Sequence, residues 1–185
     1  MSFKTIIREI PKRKNFFRGI KSVEIGYPWI TYGSIIQLEI LANPEWKVLE
    51  LGSGGSTIFF SKRFGKVLSF ETDKGWYDRV KNKLGEATNV DLRLLTVPEI
   101  EITINTHPDR YFDICLLDLG LHDKYRLRLS NLVMSKIKVG GYLVVDNYDS
   151  KYMNRINYTG YQVFTYDDME WSGKGTRICK KLYER

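Results

Sequence analysis

The stretch KVLELGSGGSTIFFSKRFGKVLSFETD, residues 47–73, decides the fold of this chain. It reads as an apolar strand, a glycine turn, a helix and a second apolar strand that ends at Glu71. Glycines allow a sharp turn and a close approach of backbone to ligand, because they carry no Cβ. Glu71 lies 19 residues past Gly52, a spacing typical of the carboxylate that binds a ribose in nucleotide-binding α/β folds. The stretch therefore predicts a site for a ligand that contains a ribose.

The glycine turn departs from the pattern of a dinucleotide site. In the pattern G-x-G-x-x-G the third glycine would fall at Thr57, and its loss argues against close packing over a pyrophosphate. Glu50, just before the turn, would repel phosphate and favour a cation. A ligand with an ammonium and a sulfonium group fits these residues better than NAD does, which disfavours a nicotinamide dehydrogenase.

Residues 50–56 resemble motif I of the class I S-adenosylmethionine-dependent methyltransferases. The resemblance runs from about position 28 to position 182 and implies a Rossmann-like sheet, a cytoplasmic transferase and S-adenosyl-L-methionine as cofactor. It implies that Glu71 accepts both ribose hydroxyls, that Thr96 is a neighbour of the adenine and that Asp118 faces the transferred methyl group. The cofactor-binding residues expected on this basis are Glu50, Gly52, Ser53, Gly54, Ser56, Glu71, Thr72, Thr96 and Asp118.

Apolar and helical segments alternate along the rest of the chain. Strands are predicted at 48–51, 66–71, 90–95, 112–118 and 142–146, and helices at 33–42, 56–63, 74–84 and 125–138. The last two apolar segments, 161–166 and 177–182, are expected to pair as an antiparallel hairpin. Alternating βα units predict an α/β fold with a doubly wound, mostly parallel sheet, which the resemblance makes seven-stranded.

Residues 97–105 depart from the family pattern, which has a helix between strands three and four. Isoleucines alternate here with polar residues, at positions 100, 102 and 104. This period of two predicts a strand, as an edge hairpin or as a pairing surface for a second subunit. A homo-oligomer is therefore an open alternative.

Composition places the chain among ordinary globular proteins and locates its charge at one end. It has 185 residues, 43% hydrophobic and 28% charged, with no apolar run long enough to span a membrane and no signal-peptide core. Cys115 and Cys179 fall in predicted strands and indicate buried thiols in a reducing compartment. Residues 1–22 carry +6 of the net charge of +7. We expect a basic lead at 1–26, serving as a solvated face, an arm toward an acidic partner or a membrane-surface contact, and a single domain at 27–185.

Acidic residues stand at the ends of four predicted strands: Glu50, Glu71, Asp118 and Asp146. Ligands bind beyond the carboxyl ends of strands in such sheets. Methyl transfer requires alignment of the acceptor and often its deprotonation, so the candidate catalytic residues are Asp118, His122 and Asp146. Asp118 with Asp146 and Asn147 also resembles the magnesium site of catechol-type O-methyltransferases, although the loop after Asp118 is longer here.

Aromatic and polar residues beside these acids are candidates for contact with the methyl acceptor. They are Trp29 and Tyr32 in the turn before the first helix, and Asn147 and Tyr148 after strand five. The loop at 171–175 resembles the glycine-bearing loop of small methyltransferases encoded with sugar and lipid biosynthesis genes. It favours a small or glycan-like acceptor.

Three functions remain open on the sequence. The first is methyl transfer to an oxygen or nitrogen of a small-molecule or glycan acceptor. The second is methylation of a nucleic acid bound by the basic lead, which is disfavoured because Asp118-Leu119-Gly120-Leu121 stands where base-methylating enzymes usually carry an Asp/Asn-Pro-Pro-aromatic stretch. The third is a module that binds the cofactor or a partner and transfers nothing.

Overall fold

A computed structural model describes residues 22–120, 123–167 and 175–183. Its helices are α1 Ser22–Ile25, α2 Tyr32–Ile40, α3 Gly55–Ser61, α4 Lys74–Leu84, α5 Val97–Thr106 and α6 Asp123–Lys136. Its strands are β1 Lys47–Leu51, β2 Lys66–Glu71, β3 Val90–Leu94, β4 Phe112–Leu117, β5 Ile137–Asp146, β6 Tyr161–Tyr166 and β7 Thr176–Lys181. A short 3-10 helix, Met153–Arg155, follows β5. No helix within these ranges is both long enough and apolar enough to cross a bilayer.

The seven strands form one sheet in the order β3-β2-β1-β4-β5-β7-β6. Strands β1 to β5 pair in parallel, and β7 runs antiparallel to both β5 and β6. The predicted α/β, doubly wound, mostly parallel Rossmann-like sheet with its closing antiparallel hairpin is confirmed. The strand order reverses between β1 and β4, and the crevice outside their carboxyl ends is the expected ligand site of such a sheet.

Helices cover both faces of the sheet with separate apolar clusters. On one face α2 and α3 bury Ile35, Phe59 and Phe60 against the strands. On the other face α5 and α6 pack against a cluster that includes Cys115 and Cys179, both free thiols. Burial of each large side chain contributes roughly 1.5–3 kcal/mol, so these two clusters hold the strand ends in place.

Residues 97–106 form helix α5, so the predicted strand at 97–105 was wrong. Thr96 and Glu99 cap the start of the helix, since the Thr96 amide and hydroxyl both donate to the Glu99 carboxylate, at 2.8 and 2.6 Å. Ile100 and Ile104 are fully buried four residues apart, whereas Ile102 is 66% exposed. Isoleucines at alternate positions are compatible with a helix as well as with a strand. In the helix only the residues at i and i+4 face the core.

The boundary between α6 and β5 also differs from the prediction. The helix predicted to reach residue 138 ends at Lys136, and strand five begins at Ile137 rather than at residue 142. Ile137 is fully buried and pairs with Phe112 across a shift in register. Burial of one apolar side chain thus extends the strand through a pair of glycines that suggested a turn.

Helix α1 lies just before the predicted domain boundary at 26/27. Val23 of this helix is buried in a cluster with Ile58 and Val80. Residues 22–25 therefore pack on the domain body, while residues 1–21, which hold nearly all of the basic lead, lie outside the described residues. The division of the chain at this point stays a prediction.

Candidate functional site

The glycine turn after β1 is locked against the end of β4. Gly52 has a φ of +98°, a backbone conformation that side chains disfavour. A Cβ on Gly52 would lie 2.3 Å from the carbonyl oxygen of Asp118. The Asp118 amide donates to the Leu51 carbonyl at 2.8 Å, so the two strand ends are joined here. Only glycine fits at position 52, and the turn opens the space above it.

Glu50 lies buried beneath the turn and stabilises its shape. Its Oε2 accepts from the hydroxyls of Thr57, at 2.6 Å, and Ser69, at 2.5 Å. The Thr57 hydroxyl in turn accepts from the amide of Gly54 at 2.9 Å. Burial raises the pKa of Glu50 to about 7, against the lowering effect of nearby hydroxyls, first that of Ser56. Its Oε1 has no hydrogen-bond partner among the described residues.

Glu71, at the end of β2, is the most heavily hydrogen-bonded acid of the site. Its Oε2 accepts from the amide and the hydroxyl of Ser53, at 3.1 and 2.9 Å. Its Oε1 accepts from the amides of Thr72 and Asp73, at 2.7 and 2.9 Å. A ribose hydroxyl that binds Glu71 would therefore replace the Ser53 hydroxyl or share its acceptor.

A cavity of about 370 Å³ lies above the turn. Its lining includes these predicted residues: Trp29, Gly52, Ser53, Gly54, Ser56, Glu71, Thr72 and Asp118. It also includes Trp76, which sequence reasoning missed, at the start of α4. The Trp76 indole donates to the carbonyl of Ser53, and Asp73 caps the same helix by accepting from the Trp76 amide at 2.6 Å. The position of Trp76 five residues after Glu71, in the first turn of a helix, was the available signal.

Asp118 contributes the acidic wall of the cavity on the β4 side. The residue is half-buried, and desolvation raises the pKa of its carboxyl well above the usual value. The negative charge of Asp146 raises this pKa further, while the guanidinium of Arg126 lowers it. A raised pKa makes the ionised carboxylate a stronger base, which is the property expected of a general base.

Arg126 of α6 ties the ends of β4 and β5 together, a role that the sequence did not predict. Only 6% of the residue is exposed. One of its terminal nitrogens donates to the main-chain carbonyls of Leu117 and Asp146, each at 2.7 Å. Its Nε has no hydrogen-bond partner within the described ranges. Arg126 thus positions the backbone that carries both acids and supplies a positive charge beneath them.

Asp146 is held at the end of β5 by donors on both of its oxygens. Thr176 donates to Oδ1 at 2.8 Å, and the Asn147 side-chain amide donates to Oδ2. Thr176 also accepts from the amide of Thr31, which links this cluster to the turn before α2. Burial raises the pKa of Asp146 to about 6, although the Thr176 hydrogen bond and the charge of Arg126 oppose the shift.

The predicted magnesium ligands do not fit a metal ion in this arrangement. Both oxygens of Asp146 are occupied by donors, and Asn147 presents its amide nitrogen to Asp146 rather than its oxygen to a common centre. In the described ranges no group of three or more His, Cys, Asp or Glu residues is placed to hold a metal ion.

The predicted acceptor-side residues lie in three places. Trp29 lines the cavity, whereas Tyr32 packs partly buried against the α2–α3 cluster. Tyr148 donates to Asp167 at 2.5 Å, and the guanidinium of Arg177 lies 4.0 Å from the centre of its ring. Tyr148 therefore joins the end of β5 to the β6–β7 hairpin.

Three predicted features lie elsewhere or cannot be placed. Thr96 caps α5 and is not among the residues that line the cavity. His122 lies outside the described residues, as do residues 171–174 of the loop before β7. The roles predicted for His122 and for that loop stay predictions.

Similar folds occur among methyltransferases of solved structure. An rRNA methylase from Streptococcus thermophilus aligns with a TM-score of 0.63 at 18% identity, over 79% of this chain and 92% of that one. The O-methyltransferase TomG of Streptomyces achromogenes, solved with S-adenosylmethionine, aligns with a TM-score of 0.59 at 13% identity, over 74% and 73%. The tRNA methyltransferase TrmI of Aquifex aeolicus aligns with a TM-score of 0.63 at 16% identity, over 88% and 75%. No family model and no curated protein matches the chain.

At these identities the likeness concerns the fold. The chain has the α/β fold of S-adenosylmethionine-dependent methyltransferases, which confirms the fold that the resemblance at residues 50–56 implied. That fold is shared by enzymes named for RNA and by one named for a small molecule, so it leaves the acceptor open.

Proposed function

We propose that this chain is an S-adenosylmethionine-dependent methyltransferase that modifies an oxygen or nitrogen of a small-molecule or glycan acceptor. The observation that carries the proposal is the cavity above Gly52, with Glu71 on one wall and Asp118 on another. A pocket at the switch point of a parallel sheet, with an acid at the end of β2, suits a ligand that contains a ribose. The raised pKa of the Asp118 carboxyl supports a catalytic use of the same cavity.

The walls of the cavity suggest how the donor would be held. Glu71 would accept hydrogen bonds from the ribose hydroxyls, and the backbone of residues 52–56 would lie beneath the methionine part. Glu50, buried under the turn, would favour the ammonium group when it is ionised, and the bound cation would in turn lower its pKa from about 7. Trp29 and Trp76 would exclude water from two sides of the bound ligand. When bound, S-adenosylmethionine supplies an electrophilic methyl group on a sulfonium.

Asp118 is the proposed general base. It lines the cavity, and its raised pKa makes the carboxylate a stronger base toward an acceptor hydroxyl or amine. Asp146 and Arg126 set the charge around it, since the first raises and the second lowers its pKa. Asn147 and Tyr148 would contact the acceptor beside Asp146, and His122 is a second candidate base.

A nucleic-acid acceptor is the second candidate. Two of the similar folds belong to enzymes named for rRNA and tRNA, and residues 1–22 carry a net charge of +6. A cationic arm of this kind would bind the phosphate backbone with strong dependence on salt.

The donor is tested by isothermal titration with S-adenosylmethionine, S-adenosylhomocysteine and NAD. We expect micromolar binding of both adenosyl ligands, weakened about 10- to 100-fold in Glu71→Gln, because hydrogen bonds to a charged group are worth roughly 1.5–3 kcal/mol. Glu86→Gln, at an exposed position beyond α4, is the matched control and should bind like the wild type. Absence of adenosyl binding, or a preference for NAD, would overturn the proposal.

The acceptor is tested by transfer of a labelled methyl group to sugars, phenols, amines and total RNA, with and without magnesium. Transfer to a small hydroxyl or amine compound, lost in Asp118→Asn, supports the proposal. Transfer to RNA that declines steeply with salt would favour the second candidate. Tight binding of the donor with no transfer to any member of the panel would favour a binding module.

A further inference from the structure

A second cavity, of about 410 Å³, lies on the opposite edge of the sheet from the glycine turn. It is formed where β1, β2, β3 and β4 begin, and it shares no lining residue with the cavity at the carboxyl edge. The lining side chains that determine its chemistry are Lys47, Lys66, Asp91, Arg93, His107 and Tyr111. None of them has a part in the proposed methyl transfer.

Two lysines stand side by side in this cavity without a carboxylate to neutralise them. Lys47 and Lys66 are partners in the β1–β2 register, so their Cα atoms lie on adjacent strands, about 4.8 Å apart, and their side chains leave the same face. Neither ammonium has an ion-pair partner among the described residues. Lys47 is half-buried, and its Nζ lies 3.9 Å from the centre of the Tyr111 ring. An anion placed between the two lysines would relieve their repulsion.

The remaining charges leave the cavity positive. Arg93 donates two hydrogen bonds to the Asp91 carboxylate, from Nε at 3.0 Å and from a terminal nitrogen at 2.5 Å, so this pair neutralises itself. The lining therefore holds three cations and one carboxylate, a net charge of +2. Partial burial and the positive charges of Arg93 and Lys136 lower the pKa of His107, which favours the neutral imidazole.

An aromatic wall lies beside the lysines. The His107 ring stacks on Tyr111 with the ring centres 5.2 Å apart and the planes 29° from parallel, and it meets Phe112 edge-on at 5.2 Å. His107 and Tyr111 both line the cavity, and among the described residues no partner bonds to a ring nitrogen of His107. Because His107 and the Lys47 ammonium lie over the Tyr111 ring, a flat ligand ring would meet this wall edge-on while its substituent bonds to the imidazole.

We propose that this cavity binds a small anion that carries an aromatic ring. The anionic group, a carboxylate or a phosphate, lies between Lys47 and Lys66, and the ring packs against His107 and Tyr111. The two ammonium groups would bind the anionic part of such a ligand, and the aromatic side chains beside them would contact its ring. The site lies across the sheet from the glycine turn and shares no lining residue with the cavity proposed for the donor.

The test uses the isotope-labelled full-length chain and three probes, followed through amide chemical shifts by two-dimensional NMR. Benzoate carries the ring and the charge, benzyl alcohol the ring alone, and acetate the charge alone. We expect benzoate to shift the amides of Lys66, Asn89 and Tyr111 saturably, and the other two probes to bind at least about 5-fold more weakly. Lys47→Gln and Lys66→Gln should each weaken benzoate binding about 3- to 10-fold, since each removes one charge-assisted contact at a partly exposed site. Lys83→Gln, exposed on α4, is the matched control and should leave it unchanged.

Inorganic phosphate and phenyl phosphate distinguish the two anionic groups. Binding of phenyl phosphate at the same amides, tighter than that of benzoate, supports a phosphate ligand, and the reverse order supports a carboxylate. Benzoate shifts confined to residues 52–56, equal binding of benzyl alcohol, or no saturable shift would overturn the proposal. So would shifts of the same amides on raising the protein concentration alone, since a second copy would then occupy the cavity.

Discussion

The two edges of this sheet are built from the same strands and carry opposite charge. At the carboxyl edge β2 and β5 end with Glu71 and Asp146, Glu50 is the penultimate residue of β1, and β4 leads directly into Asp118. At the amino edge β1 and β2 each begin with a lysine, Lys47 and Lys66. In a parallel sheet all strands begin at one edge and end at the other. Lysines at strand starts and acids at strand ends therefore collect at opposite edges of the sheet.

The edges differ still more in how their charges are surrounded. The carboxyl-edge acids lie beneath or beside the glycine turn, and burial raises the pKa values of Glu50, Asp118 and Asp146. The amino-edge charges are partly exposed. Clustered buried acids cost stability, and groups held in this way are typical of functional sites. The carboxyl edge therefore holds clustered acids at a cost in stability, whereas the amino edge keeps its charges partly exposed at a smaller cost.

The largest effect is expected from Gly52→Ala, which breaks the carboxyl edge. The new Cβ would collide with the Asp118 carbonyl oxygen at 2.3 Å and would occupy a strained φ. Strain and overpacking together should lower the free energy of unfolding by roughly 3–6 kcal/mol and abolish binding of S-adenosylhomocysteine. Urea unfolding and calorimetry measure the two effects. Gly120→Ala, where nothing lies within 4 Å of the added Cβ, should unfold like the wild type, and equal losses in both variants would contradict the argument.

Glu50→Gln tests whether burial of the acid costs stability. The folded protein retains the Glu50 proton up to a pKa of about 7, whereas the unfolded chain loses it near 4.5. Between these pH values the folded state binds more protons, so stability falls as pH rises. The wild type should therefore lose about 3 kcal/mol relative to Glu50→Gln across this window.

The measurement for this variant is urea unfolding at pH values below, within and above the window. The Glu45→Gln variant, exposed before β1, is the control and should show the pH dependence of the wild type. A constant difference between wild type and Glu50→Gln at every pH would mean that Glu50 titrates normally in the folded protein.

A smaller effect is expected from Thr176→Val, which removes one donor to Asp146 and keeps the shape of the side chain. The variant also removes the acceptor of the Thr31 amide, so the two lost hydrogen bonds together should destabilise the protein by about 1–3 kcal/mol. It should also raise the pKa of Asp146 further above about 6, because the Thr176 hydrogen bond lowers it. Carboxyl chemical shifts followed against pH measure the second effect. An unchanged or lower pKa would show that Thr176 does not support the charged form.

The smallest effect is expected at the amino edge, from Lys66→Gln. Lys66 is exposed and has no ion-pair partner among the described residues, so stability should change by less than about 0.5 kcal/mol. Binding of S-adenosylhomocysteine should stay within about 2-fold of the wild type, as measured by calorimetry. A large loss of S-adenosylhomocysteine binding in this variant would show that the amino edge affects ligand binding at the carboxyl edge, which contradicts the separation of the two edges.

The signals that single out Gly52 and Glu71 in the sequence are local. Both residues lie within one β-α-β unit, and both line the cavity at the carboxyl edge. Residues 97–106 were mistaken for a strand because isoleucines at alternate positions fit two periods. The Thr96–Glu99 capping box was the signal that distinguishes the helix.

What the sequence did not predict depends on contacts between distant residues. Arg126 donates to the carbonyl of Leu117, nine positions earlier, and to that of Asp146, twenty positions later. Thr176 donates to Asp146, thirty positions earlier. Such partners follow from the register of β4, β5 and β7, which no single segment specifies. The amino-edge cavity was missed for the same reason, because Lys47 and Lys66 are neighbours only once β1 and β2 have paired.

The positions of the two cysteines make them reporters of how the sheet opens. Cys115 in β4 and Cys179 in β7 both pair with Leu143 of β5, which lies between them. The two cysteines are therefore separated by two strand spacings, which is too far for a disulfide. Both are fully buried, and burial raises the pKa of the Cys179 thiol to about 12. Alkylation of either thiol therefore requires separation of its strand from the sheet. The ratio of the two labelling rates would show whether the parallel half or the antiparallel hairpin opens first.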